Sequence, residues 1–123
     1  MIKITFCLRR LPQLTHEEFV RHWYEAHAPL VRKHQQVLRI VRYVQFHTDM
    51  GALTEKLRAF RDSPDPFDGI AEIWYENHQA LETLGMDPDA RKASHELLED
   101  EKRFVDLSRS PIWTGTEKEI IPS

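Results

Sequence analysis

The chain has 123 residues, of which 41% are hydrophobic and 30% are charged, and its formal net charge is −3. These proportions are typical of a single globular domain, here residues 1–123, and the mixed charges offer no basic face to nucleic acid. No apolar run reaches the roughly 20 residues of a membrane-spanning helix, and a lone cysteine, Cys7, excludes an internal disulfide. We therefore expect a cytoplasmic protein that binds neither nucleic acid nor membranes.

The first two predicted elements are a strand and a helix. Residues 2–8 alternate between apolar and polar side chains, which is the period of a half-buried strand. Thr15 and Glu18 have the spacing of a capping box and predict the start of a helix over residues 15–34. Its apolar stripe is predicted at helical spacing, on Phe19, Trp23, Ala26 and Leu30.

His27 lies beside this stripe, two residues before a proline in the helical pattern. Pro29 has no N–H group, so the carbonyl of Glu25 loses its helical partner and a kink is expected. A histidine that turns toward the interior beside a kink breaks the local rules of helix formation. Such conflicts concentrate at functional or strained sites.

The rest of the chain alternates between strand and helix patterns. Gly69 is expected to mark a bulge or a close approach of another group, and Asp87 with Pro88 has the form of a helix start. The remaining predicted elements span residues 37–47, 52–61, 67–75, 78–84, 87 to about 105, and 112–121.

This order predicts an α+β fold of the ferredoxin-like, split βαβ type. Such a fold has a four-stranded antiparallel sheet with its helices on one face. The other face carries sizeable apolar residues and has to be covered, and a second copy of the chain is the simplest cover. We therefore predict a homodimer with its sheets face to face.

Four segments resemble the EthD family, a branch of the dimeric α/β-barrel superfamily. They are FVRHWYEAHAPL at 19–30, YVQFH at 43–47, FDGIAEIWY at 67–75 and SRSPIW at 108–113. The resemblance implies a dimeric α/β barrel. Related proteins include fungal polyketide dehydratases and decarboxylases and a bacterial methylmuconolactone isomerase, which implies cofactor-free proton chemistry on small, oxygenated, often aromatic molecules.

The isomerase's catalytic residues transfer only in part to this chain. The resemblance places its helix histidine at His27 and its strand-two tyrosine at Tyr43. Its catalytic cysteine would fall at Ile73, whose side chain has no acid–base chemistry. The isomerase's own reaction is therefore not expected here, whereas general acid–base chemistry remains the interpretation.

The candidate catalytic residues are His27, Tyr43 and His47. An imidazole exchanges protons near neutral pH, and a phenol can donate a hydrogen bond to a developing enolate oxygen. Tyr43 and His47 share one face of the second strand, toward which His27 could point. The alternative is a core histidine whose hydrogen bonds are satisfied and a tyrosine that lines the interior; the family resemblance favours the functional interpretation.

The candidate substrate-binding residues are aromatic or polar: Trp23, Phe46, Gln45, Glu72 and Trp74. Trp23 and Phe46 are expected as walls of an apolar pocket between the first helix and the sheet. Aromatic side chains at such spacing also commonly form plain core or dimer interface. Glu72 could orient a histidine, or it could form a structural ion pair with Arg42.

A metal site is not expected. His27, His47 and Glu72 could imitate a two-histidine, one-carboxylate site. However, His22 and His27 are five residues apart and should point to different sides of an α-helix, so no local metal-binding pair is present. His16, His22, His78 and His95 are expected at the surface, and no cofactor is predicted.

The sequence leaves three functional hypotheses. The first is a cofactor-independent acid–base enzyme, a lyase or dehydratase, isomerase or cyclase, acting on a small oxygenated cyclic or aromatic substrate in catabolism or polyketide-type metabolism. The second is a non-catalytic dimer of the small-molecule-binding or stress type. The third is an oxygenase, either cofactor-free or dependent on haem or metal, or an accessory to an ether-degrading oxygenase.

Overall fold

The computed structural model describes all residues 1–123, and it contains one four-stranded antiparallel sheet. The strand order is β2-β3-β1-β4, in which every neighbouring pair is antiparallel. The predicted ferredoxin-like α+β fold is confirmed. The strands are β1 (Ile2–Leu8), β2 (Arg42–His47), β3 (Gly69–Tyr75) and β4 (Ile112–Gly115).

The helices begin where the sequence signals placed them. Thr15 and Glu18 form the capping box, Asn77 caps a short helix, and Asp87 caps the longest one. None of the helices combines the length and the apolar composition that crossing a bilayer requires. The α-helices are α1 (His16–His22), α2 (Ala28–Lys33), α3 (Ala52–Arg61), α4 (His78–Glu82) and α5 (Pro88–Glu101), with short 3₁₀ segments at Thr83–Met86 and Leu107–Arg109.

The second strand is shorter than predicted, since it begins at Arg42 and not at residue 37. After α2 the chain makes a series of turns, and Arg39 adopts a left-handed conformation with φ of 57°. Leu38 and Ile40 are nevertheless buried, because the turns place them against the core. Burial, and not pairing within a sheet, therefore explains their apolar character.

The hydrophobic core lies between one face of the sheet and the helices. One cluster joins β1 and β3 to α2 and α5 and includes Ile2, Val31 and Ala90. The other cluster joins the same strands to α1 and to the chain after α5, and it includes Phe19, Trp23 and Phe104. The candidate site lies where these two clusters meet.

The opposite face of the sheet lies outside both core clusters. Phe46 and Trp113 lie on this face with 56% and 53% of their surface exposed. Lys3 pairs with Glu72 across β1 and β3, with 2.6 Å between Nζ and Oε2. The Arg42 guanidinium lies 4.5 Å from the centre of the Trp74 ring. This face therefore carries an exposed aromatic residue on each edge strand, with the Lys3–Glu72 ion pair on the two central strands.

Candidate active site

A π-helical turn joins α1 to α2 and positions the first site residue. Trp23–His27 form this turn, in which the N–H of Ala28 donates to the carbonyl of Trp23. Pro29 is the second residue of α2. A proline ring would clash with the carbonyl four residues earlier in a regular α-helix, and the wider turn accommodates it. The proline predicted a kink, and in the structure the helix contains one extra residue in the turn before Pro29.

The π turn changes which side chains of this helix are buried. The predicted stripe included Ala26, which is exposed, because an α-helical spacing was assumed throughout. With the wider turn, the buried residues instead follow at intervals of four: Phe19, Trp23, His27 and Val31. His27 is therefore part of the buried stripe, and only 5% of its surface is exposed.

His27 forms a buried pair with Asp100 from α5. The Nδ1 atom of His27 lies 2.8 Å from Oδ2 of Asp100, and the aspartate is only 8% exposed. Burial lowers the pKa of His27, and this effect exceeds the opposing hydrogen bond and charge of Asp100. The neutral imidazole donates its Nδ1 proton to the carboxylate, so Nε2 is left as a proton acceptor.

His22 contacts the same carboxylate, contrary to the sequence expectation. Its Nε2 atom lies 3.1 Å and 3.2 Å from the two carboxylate oxygens of Asp100. The prediction that His22 and His27 point to different sides of the helix is wrong. The π turn is the reason, because a hydrogen bond spanning five residues brings residues five apart into line.

A cavity of about 270 Å³ opens beside His27, between the sheet and the helices. Seventeen of its twenty lining residues are hydrophobic, and the other three are His27, Ser94 and Glu101. The rings of Tyr43 and Tyr75 also line it. An apolar hollow with a few converging polar groups is the usual form of a small-molecule site.

Glu101 is the second titratable group of this cavity. One of its carboxylate oxygens lies 3.9 Å from Nε2 of His27, and 21% of the Glu101 side chain is exposed. Burial, with a smaller contribution from the charge of Asp100, raises the pKa of Glu101 to about 7. The cavity therefore holds a neutral imidazole next to a carboxyl group that can keep its proton near neutral pH.

Tyr43 is held in the cavity wall by Gln45. The Gln45 amide nitrogen donates to the Tyr43 oxygen at 3.0 Å and to the Trp23 carbonyl at 2.9 Å. The Tyr43 oxygen accepts from Gln45, and the Tyr43 hydroxyl donates to no group of the protein, so its proton is available to a ligand. Burial raises the pKa of Tyr43 to about 12, so the phenol remains a neutral donor.

The structure does not bring His47 into the cavity. His47 is exposed and is not among the lining residues, and the centre of its ring lies 5.0 Å from that of the Trp23 ring. Its Nε2 atom lies 2.8 Å from the Gln45 side-chain oxygen. This contact orients the Gln45 amide so that its nitrogen faces Tyr43. Its connection to the cavity is therefore indirect, through Gln45.

Three further candidate residues, Phe46, Glu72 and Trp74, lie on the opposite face of the sheet and do not line this cavity. Neighbouring residues of a strand point to opposite faces, so Phe46 cannot share a wall with Tyr43. Gln45 is on the same face as Tyr43 but does not line the cavity either. Glu72 forms an ion pair, as the structural alternative proposed, but its partner is Lys3 and not Arg42. His27, His47 and Glu72 do not converge.

Sequence reasoning missed Asp100 and Glu101. Both follow Leu97 at helical spacing and precede Phe104 by three or four residues, so they occupy the inward face of the last turn of α5. Two acids on an otherwise apolar stripe are a usable signal, since burying a carboxylate requires partners. The imidazoles of His22 and His27, 78 and 73 residues away, are those partners.

Comparison with known proteins identifies a family and a fold. The EthD domain model matches residues 11–108 of the chain. A comparison with curated proteins found no match.

Among solved structures, one similar protein is an EthD family protein from Bacillus halodurans, with 19% identity, a TM-score of 0.63, and coverage of 96% of this chain and 99% of that one. Another is described as a dimeric protein of unknown function with a ferredoxin-like fold from Bacteroides fragilis, with 7% identity, a TM-score of 0.58 and 93% of each chain covered. A third is described as a putative antibiotic biosynthesis monooxygenase from Deinococcus radiodurans, with 15% identity, a TM-score of 0.53, and coverage of 100% of this chain and 98% of that one. At these identities the structures show the shared fold alone.

Proposed function

The chain belongs to the EthD domain family, and from its site we propose that it is a cofactor-independent acid–base enzyme. It would act as a lyase or dehydratase, an isomerase or a cyclase on a small oxygenated ring compound. One observation carries this proposal: the His27–Asp100 pair directs an unprotonated nitrogen toward an apolar cavity that also holds Glu101. Two titratable groups with pKa values shifted toward complementary proton states are the usual requirement for such chemistry.

The cavity volume supports a substrate with one ring and few substituents. An engineered apolar cavity of about 150 Å³ binds benzene. At about 270 Å³, this cavity has room for a ring with several added atoms. Its largely hydrophobic lining favours a ring that is aromatic or partly unsaturated, with its oxygen atoms directed toward the few polar groups.

In the proposed reaction, His27 removes a proton from a carbon next to a carbonyl group. Nε2 of His27 accepts that proton, and Asp100 stabilises the imidazolium that forms. The Tyr43 phenol donates a hydrogen bond to the enolate oxygen, where negative charge develops. In an elimination, protonated Glu101 gives its proton to the leaving hydroxyl group, which departs as water. Transfer of a proton from His27 to Glu101, which lie 3.9 Å apart, restores the starting state.

The predicted dependence on pH follows from these two groups. The reaction needs neutral His27, and burial favours this form because it lowers the pKa of the imidazole. It also needs protonated Glu101, whose pKa is raised to about 7. The rate should therefore be highest below pH 7 and should fall on both sides of its maximum. Replacing Glu101 with glutamine should lower the reaction rate. It should also abolish the decline of the rate at alkaline pH.

The direct test is exchange of carbon-bound hydrogen with solvent. A panel of cyclic ketones and lactones is incubated with the protein in D₂O, and loss of the α-hydrogen is followed by NMR. His27→Ala should reduce the exchange rate by about 10²-fold or more. His95→Ala is the matched control, because the His95 side chain is 72% exposed and remote from the cavity, and it should exchange at the wild-type rate.

Two results would contradict the proposal. Exchange that is unchanged in His27→Ala would show that another group is the base. A compound that stabilises the protein against unfolding without any exchange or product would favour a binding protein instead.

We also propose that the protein is a homodimer in the cytoplasm. The uncovered sheet face carries the exposed Phe46 and Trp113, which a second copy would bury. The similar protein from Bacteroides fragilis is described as dimeric, and this supports the proposal by analogy. Cys7 is buried and unpaired, which suits a reducing compartment.

A further inference from the structure

Asp100 is shared by two imidazoles that differ in their exposure to water. His27 Nδ1 lies 2.8 Å from Oδ2, and His22 Nε2 lies 3.1 Å from Oδ1 and 3.2 Å from Oδ2. The His27 side chain is 6% exposed, whereas 29% of the His22 side chain is open to solvent. Each imidazole also packs against the Phe104 ring, with centroids 5.2 Å and 4.7 Å away. The carboxylate therefore has one buried partner and one that reaches water.

One carboxylate can balance only one imidazolium. A positive charge on His22 pairs with Asp100 and remains partly hydrated, whereas the same charge on His27 would be buried. The charges of the two rings repel each other, so a proton on one makes a proton on the other less favourable. A single positive charge on this pair of rings is therefore better accommodated on His22, whose side chain is the more exposed.

The other groups around His27 do not change this assignment. Glu101 from α5 lies 3.9 Å from Nε2, and Tyr43 from β2 lines the same cavity. Neither Asp100 nor Glu101 has a lysine or arginine within salt-bridge distance. The imidazoles of His22 and His27 are therefore the basic groups that lie within salt-bridge distance of these carboxylates.

We propose that His22 is a positioning residue that competes with His27 for the charge of Asp100. It holds the Asp100 carboxylate toward Nδ1 of His27, and a positive charge on its ring, together with the burial of His27, disfavours a second positive charge on His27, so that Nε2 is free to accept a proton. The proposal rests on the proposed function in one respect, namely that His27 is the base. Burial is the main cause of the lowered pKa of His27, and the charge of His22 adds to it.

The test is an NMR titration of the His27 imidazole in the full-length protein, without substrate. His22→Gln places an amide N–H near Asp100, so it preserves the hydrogen bond but removes the charge. With no second positive charge beside Asp100, the pKa of His27 should rise by about half a unit or more. His22→Lys keeps a permanent positive charge at this position and should leave the pKa of His27 at or below its wild-type value.

Controls separate a charge effect from a structural one. His95→Gln removes an exposed imidazole on the outside of α5 and should leave the titration of His27 unchanged. If His22 only holds Asp100 in place, the pKa of His27 will be the same in His22→Gln as in the wild type. This result would overturn the proposal. A matching melting temperature for His22→Gln would confirm that the fold is intact.

The titration also distinguishes this proposal from the proposed function. It needs no substrate, so a shift at His27 without any exchange reaction would support the charge assignment and contradict the enzyme. Where the exchange reaction is found, His22→Gln should move the acidic limb of its pH profile to higher pH by the same shift. An unmoved acidic limb in an active variant would again contradict the role of His22.

Discussion

The buried carboxylate of Asp100 determines which nitrogen of His27 carries the proton. In Asp100→Asn the side chain keeps its shape, but its amide nitrogen can turn toward Nδ1 and donate to it. The proton would then move to Nε2, and the cavity would lose its base. The rate at which the substrate's α-hydrogen exchanges with solvent should fall by about 10²-fold or more, as measured by the same NMR assay.

A second measurement shows whether the loss comes from the changed proton position. Nitrogen chemical shifts of His27 report which ring nitrogen is protonated, and they should invert in Asp100→Asn. Wild-type exchange together with an inverted pattern would contradict the role of Nε2 as the base. Ser94→Ala, which removes a different polar group from the cavity lining, serves as the control and should leave the ring pattern unchanged.

Glu101 should make the stability of the protein depend on pH in an unusual direction. Its pKa is raised from 4.5 to about 7, so between these values the folded protein holds a proton that the unfolded chain releases. The free energy of unfolding therefore falls as the pH rises through this window, by up to roughly 3 kcal/mol. His27 acts in the opposite direction, because its lowered pKa reduces stability as the pH falls.

The variant Glu101→Gln isolates this contribution. Relative to wild type, it should have a similar free energy of unfolding near pH 4 and a growing advantage up to pH 8, measured by urea denaturation at each pH. Glu99→Gln is the control, since Glu99 is exposed and pairs with Lys102 at the surface. It should show no such advantage. A constant difference between Glu101→Gln and wild type would mean that Glu101 titrates normally.

At the residue scale, the sequence predicted the histidine and the tyrosine but not the acids. His27 is conspicuous because it stands beside Pro29 in an amphipathic pattern. Asp100 and Glu101 belong to a run of charged residues, which reads as a solvated helix end. Their burial depends on His22 and His27 across the core, and no local pattern encodes a contact over such a separation.

At the element scale, helix starts were predictable and the π turn was not. Caps such as Thr15 and Asp87 act through the neighbouring three residues, so the local sequence contains the whole signal. The π turn depends on how the helix satisfies Pro29 while burying both Trp23 and His27. Tertiary packing therefore determines this turn. A regular α-helical spacing wrongly placed Ala26 in the buried stripe and His22 on a different side of the helix from His27.

Gly69 links the π turn to the sheet, and this gives a test at the same scale. A Cβ atom at Gly69 would overlap the Trp23 indole and would lie 2.8 Å from the Phe46 carbonyl oxygen. Gly69→Ala should therefore destabilise the protein by about 1–3 kcal/mol, as overpacked cores do. Because Trp23 lines the cavity, the variant should also weaken binding of any ring compound that stabilises the wild type.

Gly85→Ala is the matched control for this prediction. A Cβ at Gly85 would meet no atom within 4 Å, so the free energy of unfolding should change by less than about 0.5 kcal/mol. Both values come from urea denaturation. Equal stabilities for the two variants would show that Trp23 does not pack on the backbone at Gly69.

At the scale of the whole molecule, the fold was predictable because periodicity and order agree. Strand patterns with period two and helix patterns with period 3.6 occur in the order β-α-β-β-α-β, and few architectures accommodate that order. The sequence misplaced the start of β2, which was expected at residue 37 and lies at Arg42. It also misplaced the end of β4, which was expected at residue 121 and lies at Gly115. The ends of β2 and β4 depend on pairing with β3 and β1, which the local sequence does not encode.

The uncovered sheet face provides the last prediction. Phe46 on β2 and Trp113 on β4 lie at the two sides of this face, and a face-to-face dimer would bury both. The double variant Phe46→Glu, Trp113→Glu would place a carboxylate at each side of the interface without a partner, which is costly in a buried position. Light scattering after gel filtration should give the mass of two chains for the wild type and of one chain for the variant.

Met86→Glu, at a 79% exposed apolar residue after α4, should remain dimeric. Because the cavity lies on the other side of the sheet, His27 should titrate in the monomeric variant as it does in the wild type. A variant that stays dimeric would place the contact between copies elsewhere on the molecule.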